Sequence, residues 1–162
     1  MSHIFATAGT KIAIGPVLTS DGSDLEATDF TDGTPTYTEI GGTTNLGSAG
    51  DTSELITSNH IGTARTRKAK GTRNGGTMEV AMDLDYADAG QIALIAAEKT
   101  KDTYAFKVTF NDAPAGGTPS IRYFTALITR AGEQFDEANS VMKLNATLEI
   151  DSNIVRVAAA SA

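Results

Sequence analysis

Three segments of this chain alternate apolar and polar side chains with a period of two, and this alternation constrains its fold more than any other feature. They are TMEVAMDL (77–84), TYAFKVTF (103–110) and SVMKLNATLEI (140–150). Successive side chains of a β-strand point to opposite faces, so each segment predicts a strand with one buried and one solvent-facing side. A sheet with a core face and a wet face is therefore expected.

Five further segments are expected to complete the set of strands. SIRYFTALITR (120–130) carries apolar residues on both faces, which predicts a strand that is buried on two sides or lies at a subunit contact. The other four are shorter: GTKIAIG (9–15), YTEIG (37–41), ELITSNHI (54–61) and NIVRV (153–157).

One helix is predicted, over about residues 87–99. Asp88 is a suitable N-cap, and Gln91 follows it at the spacing of a capping box. The apolar stripe expected to face the sheet comprises Ile92, Ile95 and Ala96, broadened by Leu94.

These elements predict a mainly β fold, an antiparallel β-sandwich or barrel with one flanking helix. The 162 residues are expected to form a single domain. We expect an N-terminal arm over about residues 1–35 and a long glycine-rich basic loop over about residues 42–76.

Charge is segregated along the chain, whose formal net charge is −7. The segment ARTRKAKGTRNGG (64–76) holds five basic residues: Arg65, Arg67, Lys68, Lys70 and Arg73. Residues 12–64 contain no lysine or arginine and carry these acidic residues: Asp21, Asp24, Glu26, Asp29, Asp32, Glu39, Asp51 and Glu54. Such asymmetry predicts two surfaces that attract each other.

Three roles are open to the basic segment. Its charge suits phosphate groups, but it has no interleaved aromatic residue for base stacking, and the acidic remainder of the chain would repel a polyanion. It could also be a solvated loop with no role. A contact between copies of the chain, in which the basic segment faces the acidic segment of a neighbour, is the interpretation we favour.

No residue pattern predicts catalysis, a metal site or a cofactor. The chain has no cysteine and two histidines, His3 and His60, and His60 has no partner at a spacing typical of catalysis. Asp83, Asp85 and Asp88 could bind calcium, but carboxylates at the start of a helix are more often caps. The glycosylation triplet at 145–147 falls inside a predicted strand. An enzyme is therefore not expected.

The N-terminal MSHIFATAGT lacks the basic region and apolar run of a signal peptide. No apolar run approaches the roughly 18–20 residues of a membrane span. We expect a protein that is made in the cytoplasm and has no membrane anchor.

The order of these features resembles the major tail tube protein of long, non-contractile-tailed bacteriophages, whose fold is related to the tubes of contractile tails and type VI secretion systems. An N-terminal arm and strand lead into the basic glycine-rich segment, which continues as RNGGTMEVAMDLDYADAGQIALIAAEKT (73–100) and the aromatic strand YAFKVTF. Residues 71–110 carry the most specific part of the resemblance, including the helix start from Asp88 to Gln91. KIAIGPVLTSDG (11–22) is a loose version of the opening of some relatives.

The resemblance implies two packed antiparallel sheets flanked by a helix, in a subunit that forms hexameric rings. Strands of six copies would join into one inner β-barrel, and the rings would stack into a tube that conducts DNA during ejection. DNA would pass without specific binding, and other tail proteins would bind the tube ends. The protein would reside in the virion tail after assembly in the host cytoplasm.

The resemblance also suggests roles for named residues. The five basic residues of 64–76 would contact the next ring, opposite Asp21, Asp24, Glu26, Asp29 and Asp32. An acidic or neutral channel wall would keep DNA mobile. The residues expected to line it are Glu79, Asp83, Asn145, Thr147 and Glu149, with Lys143 and Arg122 as basic exceptions.

Other functions remain open at this stage. The same fold could form the tube of a contractile tail, a secretion system or a gene-transfer particle. A capsid decoration or host-binding domain would need an exposed aromatic patch, and an aromatic content of 6% weighs against one.

Overall fold

The computed structural model of the protein describes residues 4–162, which form ten strands and two helices. The strands are β1 (Lys11–Val17), β2 (Thr38–Glu39), β3 (Thr43–Asn45), β4 (Thr52–Ser58), β5 (Arg67–Asn74), β6 (Thr77–Asp83), β7 (Tyr104–Thr109), β8 (Ile121–Gln134), β9 (Lys143–Ile150) and β10 (Val155–Val157). The helices are α1 (Ala27–Thr31) and α2 (Ala89–Glu98). The predicted mainly β fold is confirmed; His3 and the first three residues of the predicted arm lie outside the described residues.

One antiparallel sheet contains most of the strands, in the order β2-β1-β7-β8-β9-β6-β3, and β10 also pairs with β8. Strands β4 and β5 form a separate two-stranded hairpin. No closed barrel forms within the described part of the chain, because the large sheet ends at β2 on one side and at β3 on the other.

Strand β8 belongs to two half-sheets: the first is formed by β2, β1, β7, β10 and the start of β8, and the second by the rest of β8, β9, β6 and β3. Its first part pairs with β7 through Ala126, and from Ala126 to Gln134 it pairs with β9. Apolar side chains of β1 and β7 pack against those of β6 and β9 in one buried cluster, so the half-sheets face each other as a sandwich. The largest fully buried side chains of that cluster are Phe106, Phe124, Ile12, Met82, Leu94, Leu144 and Leu148.

Residues 18–37 pack on the outer face of the first half-sheet instead of extending as an arm. Phe30 of α1 is buried and stacks on Tyr123, with ring centroids 5.2 Å apart. The Tyr37 hydroxyl donates to the Phe30 carbonyl at 2.8 Å, and burial raises the pKa of Tyr37 to about 12, which keeps the hydroxyl protonated. Asn153 holds the segment before α1. Its side-chain oxygen accepts from the Leu25 N–H, and its side-chain amide donates to the Leu25 carbonyl. Sequence patterns missed α1 because its five residues are too few to show helical periodicity.

The predicted N-cap of α2 is confirmed. The Asp88 carboxylate accepts from the backbone N–H of Gln91 at 2.9 Å. The Gln91 side chain is buried and does not complete a capping box. Its amide donates to the carbonyls of Gly41 (3.0 Å) and Asp83 (2.8 Å), and its oxygen accepts from the N–H of Asp85 (3.0 Å). Gln91 thus joins the helix to the end of β6 and to the segment before β3.

The predicted apolar stripe of α2 was wrong in part. The buried residues are Gly90, Gln91, Leu94 and Ala97, whereas Ala96 is exposed and Ile92 is 52% exposed. Ile95 is only partly buried against the core. Gly90 explains why the buried face of α2 differs from the predicted stripe. A Cβ at this position would collide with the Glu39 carbonyl, so glycine allows this side of the helix to approach the β2–β3 connection closely.

The segment predicted as a long basic loop, about residues 42–76, contains three strands: β4 overlaps the predicted strand ELITSNHI (54–61), whereas β3 and β5 were not predicted. Strands β4 and β5 pair from Thr52 with Asn74 to Ser58 with Arg67, and every residue of the two strands except Gly71 is exposed. The hairpin (residues 52–74) therefore projects from the body of the protein.

Within residues 4–162, neither helix is long and apolar enough to cross a lipid bilayer.

Replacement of Gln91 with leucine tests its role as a cross-link. Leucine has a similar volume but removes the three hydrogen bonds that the Gln91 side chain makes to backbone groups, so the free energy of unfolding of Gln91→Leu should fall by about 2–4 kcal/mol. The matched control Ile92→Ala, at the half-exposed position next to it, should cost about 0.5 kcal/mol. Urea unfolding of both variants measures the difference, and equal losses would contradict this role of Gln91.

Candidate functional site: assembly surfaces

The half-sheet formed by β8, β9, β6 and β3 has an open edge on each side. Along Leu127–Gln134, β8 pairs with β9, and no strand within residues 4–162 pairs with the other side of this stretch. At the opposite side, β3 pairs only with β6 among the described strands. Unpaired N–H and C=O groups on such edges are templates for pairing with another chain. The sequence had indicated a subunit contact at 120–130 but not this edge.

The residues predicted to line a channel share one face of β6 and β9. They are Glu79, Asp83, Asn145, Thr147 and Glu149. Lys143, predicted as a basic exception, lies on the same face because it pairs with Asp83. Arg130 of β8, which the sequence analysis missed, is exposed and pairs with Thr147. The face therefore carries three acidic and two basic side chains.

Arg122 lies elsewhere, on the first half-sheet. Its guanidinium is 4.7 Å from the centroid of the Phe110 ring and donates to the carbonyl of Ile121 at 3.0 Å. It lines a groove of about 500 Å³ together with Phe124 and Arg156. The structure thus separates Arg122 from the other residues predicted to face a channel.

The hairpin carries both charge and apolar surface. Arg65, Arg67, Lys68 and Lys70 are exposed, and none of them forms an ion pair within the described residues. Its exposed apolar side chains are Leu55, Ile56 and, in the turn, Ile61. Leu55 pairs with Lys70 across the two strands.

Arg73 differs from the other four basic residues because it binds acidic residues of its own chain. Its guanidinium lies 2.6 Å from the Asp51 carboxylate and 4.0 Å from that of Asp24. The base of the hairpin therefore lies beside the acidic segment that the sequence analysis assigned to a neighbouring copy.

The side chains of Asp21 and Asp29, also in the acidic segment, form hydrogen bonds within local turns. Asp21 accepts hydrogen bonds from the side chain and backbone of Ser23, which lower the pKa of the Asp21 carboxyl. The Asp29 carboxylate accepts from the Glu26 backbone N–H at 2.7 Å, at the start of α1. Asp32 follows the last turn of α1 and is exposed.

A second acidic surface lies at the far end of β6 and β9, around the β8–β9 loop and the β6–α2 turn. Its exposed carboxylates are those of Asp85, Glu133, Asp136 and Glu137. Its exposed apolar side chains are those of Tyr86, Phe135, Val141 and Met142. The Tyr86 hydroxyl donates to Glu133 at 3.4 Å, which connects the turn with the loop. We name these eight residues the acidic end.

The candidate metal and catalytic residues are separated or have structural roles. Asp88 caps α2, and Asp85 accepts from the backbone N–H of Ala87 at 2.9 Å. Within residues 4–162, no group of three or more histidine, aspartate or glutamate side chains is placed to hold a metal ion. His60 is exposed near the hairpin turn.

The fold matches solved structures, although no protein-family model and no curated protein sequence matches the chain. One is a chain of the anti-feeding prophage baseplate, six-fold symmetrised, with a TM-score of 0.71, 11% identity and 98% of both chains covered. Another belongs to the sheath/tube terminator of PVC, an extracellular contractile injection system, in the extended state (TM-score 0.69, 10% identity, 97% of this chain and 99% of that chain). A third is the SPP1 tail tube (TM-score 0.62, 13% identity, 96% of this chain and 80% of that chain). The predicted resemblance to tail tube proteins is thus confirmed at the level of the fold.

The stability of hairpin variants can distinguish the four unpaired basic residues from Arg73. Reversal of Arg65, Arg67, Lys68 and Lys70 to glutamate should leave the free energy of unfolding within about 1 kcal/mol, because these side chains touch no core residue. Arg73→Glu alone should lower the urea midpoint of unfolding more than the fourfold reversal does, since it replaces the ion pair with Asp51 by two neighbouring carboxylates. A larger loss from the fourfold variant than from Arg73→Glu would contradict this division.

Proposed function

We propose that this chain is the structural subunit of a phage tail tube, in which six copies form a ring and stacked rings form a hollow tube that conducts DNA during ejection. The observation that carries the proposal is the pair of open edges on the β8–β9–β6–β3 half-sheet. The six-fold symmetry of one structure with this fold supports the number of copies. The role requires neither catalysis nor a cofactor, and its place is the virion tail after assembly in the host cytoplasm.

The strand directions fit closure into a ring. Neighbours in the half-sheet are antiparallel at every step from β8 through β9 and β6 to β3, so β8 and β3 run in opposite directions. When rotation places β3 of one copy beside β8 of the next, the new pair is antiparallel as well. A ring built in this way continues one antiparallel ladder and leaves no edge of the β8–β9–β6–β3 half-sheet exposed.

The polar face of β6 and β9 would line the channel of this ring. Its carboxylates at Glu79, Asp83 and Glu149 would repel DNA phosphates, and the basic side chains of Arg130 and Lys143 are too few to produce a basic wall. DNA would then pass without being held.

The exposed hairpin would provide the contact between rings. It is rooted at one end of the half-sheet, and its four unpaired basic residues are available to another copy. The contact is directional, because the hairpin is present at only one end of each subunit. Such head-to-tail contacts generate open-ended stacks.

The tube of a contractile injection particle is the second candidate. The two contractile-system chains match this fold over 98% and 99% of their own lengths, compared with 80% for the SPP1 tail tube chain. A tube of that kind would contact a surrounding sheath through its outer face, which here includes α1 and the acidic segment near it. Co-purification of tubes with or without a sheath protein would distinguish the two candidates.

Amide hydrogen exchange tests the edge pairing without any substitution. In the isolated chain, the amides of residues 127–134 that point away from β9 should exchange rapidly, and in assembled tubes they should become protected. Amides of residues 121–123 provide the control, because β7 and β10 cover both sides of this stretch in the isolated chain. Unchanged exchange at 127–134 after assembly would rule out pairing through this edge.

Electron microscopy of the concentrated protein tests the stacking. The wild-type chain should form rings and hollow tubes that separate as salt concentration rises, because screening weakens contacts between charged surfaces. The fourfold glutamate variant of Arg65, Arg67, Lys68 and Lys70 should form rings but no tubes. Tubes of normal length from that variant would contradict a role for the hairpin in stacking.

A further inference from the structure

We propose that the surface bound by the hairpin in the next ring is the acidic end of a second copy, and not its acidic segment 21–32. This inference rests on the proposed function, since it specifies the partner of the hairpin within a stacked tube. Three observations carry it: the positions of the two surfaces, their charges and their exposed apolar side chains.

The hairpin and the acidic end lie at opposite ends of the same two strands. The hairpin continues through Gly75 and Gly76 into β6, whose first residue Thr77 pairs with Glu149. The last residue of β6, Asp83, pairs with Lys143, directly after the β8–β9 loop. Seven residues of strand separate the two surfaces by roughly 20 Å. Complementary surfaces at opposite ends of one subunit allow unlimited head-to-tail addition.

The charges of the two surfaces are opposite and unneutralised. On the hairpin, four basic side chains have no ion pair within the described residues, and the same holds for the carboxylates of the acidic end. The nearest polar contacts of those carboxylates are uncharged: Gln134 donates to Asp136 at 2.6 Å, and Tyr86 donates to Glu133. Both surfaces therefore keep their charge available for a partner.

Both surfaces also expose large apolar side chains, which isolated surface loops seldom do in clusters. On the hairpin, Leu55 is 60% exposed, and Ile61 in the turn is fully exposed. At the acidic end, Phe135 is 57% exposed and Val141 is 60% exposed. Apolar side chains surrounded by complementary charges are typical of a protein–protein interface with a dry centre and a polar rim.

The acidic segment 21–32 lacks these properties. It lies at the hairpin's own end of the molecule, where Asp24 approaches Arg73 to 4.0 Å. Its apolar side chains face inward, as Phe30 is buried and Leu25 is partly buried. A second copy stacked head to tail would present its opposite end to the hairpin, and this end carries the β8–β9 loop.

Compensating charge reversals test the pairing of the two surfaces. The hairpin variant carries Lys68→Glu and Lys70→Glu, and the acidic-end variant carries Glu133→Lys and Glu137→Lys. Asp136 is left unchanged because its φ of +54° is unfavourable for a long side chain. Each double variant should raise the critical concentration for tube formation by at least roughly tenfold. The two sets combined in one chain should restore it to within about threefold of wild type.

A matched control addresses the competing surface. Asp21→Lys and Asp32→Lys reverse two exposed carboxylates of the acidic segment, again in combination with the hairpin variant. This combination should leave tube formation impaired. The inference would be overturned if the Asp21→Lys and Asp32→Lys changes restored tube formation by the hairpin variant while the Glu133→Lys and Glu137→Lys changes did not. Wild-type chains that never form tubes would instead count against the proposed function itself.

Cross-linking supplies a second measurement that does not depend on charge. The chain has no cysteine, so Ile61→Cys and Phe135→Cys can be combined in one chain, and both sites are exposed. Treatment of assembled tubes with a bifunctional maleimide should produce a ladder of covalent multimers, whereas each single-cysteine variant should stop at dimers. Thr28→Cys in place of Phe135→Cys should give no ladder. A ladder from the Thr28 pair and none from the Phe135 pair would overturn the proposed contact.

Discussion

Backbone hydrogen bonding along β8 is the constraint on which the rest of the structure depends. This strand of 14 residues pairs with β7 and β10 in its first part and with β9 in its second. Because it belongs to both half-sheets, it places their apolar faces against each other and closes the core. The same change of partner at Ala126 leaves the side of Leu127–Gln134 that faces away from β9 unpaired. Closure of the core and the open edge proposed for assembly thus arise from one strand.

Helix α2 connects the core to the other open edge. Asp88 accepts from the N–H of Gly41 at 3.1 Å, while Gln91 donates to the carbonyl of Gly41. The next residue, Gly42, accepts from the N–H of Asp83 at 2.9 Å. These bonds hold the chain immediately before β3, so the helix positions the strand that would pair with the next copy. Loss of Gln91 would be expected to disturb assembly as well as folding.

The polarity of the subunit follows from the positions of three charged surfaces: the basic hairpin, the acidic segment 21–32 and the acidic end. The basic hairpin and the acidic segment 21–32 face each other at one end of the half-sheet, where Arg73, Asp24 and Asp51 form ion pairs. The acidic end lies at the other end of β6 and β9. Attraction between unlike ends favours a directional stack, whereas attraction within one end only stabilises the monomer.

Local information determined the strands other than β3 and β5, the N-cap at Asp88 and the shared face of Glu79, Asp83, Asn145, Thr147 and Glu149, because alternation and capping depend on neighbours in the sequence. Their role in a channel remains a prediction. Only the tertiary structure decided that residues 52–74 form a hairpin, that Gln91 faces inward while Ile92 does not, and that Arg73 binds its own chain. The tertiary structure alone shows that one side of Leu127–Gln134 in β8 is unpaired, and that the hairpin and the acidic end lie at opposite ends of β6 and β9. These features depend on contacts between residues far apart in sequence, such as Gln91 with Gly41 or Arg73 with Asp24, which no local pattern encodes.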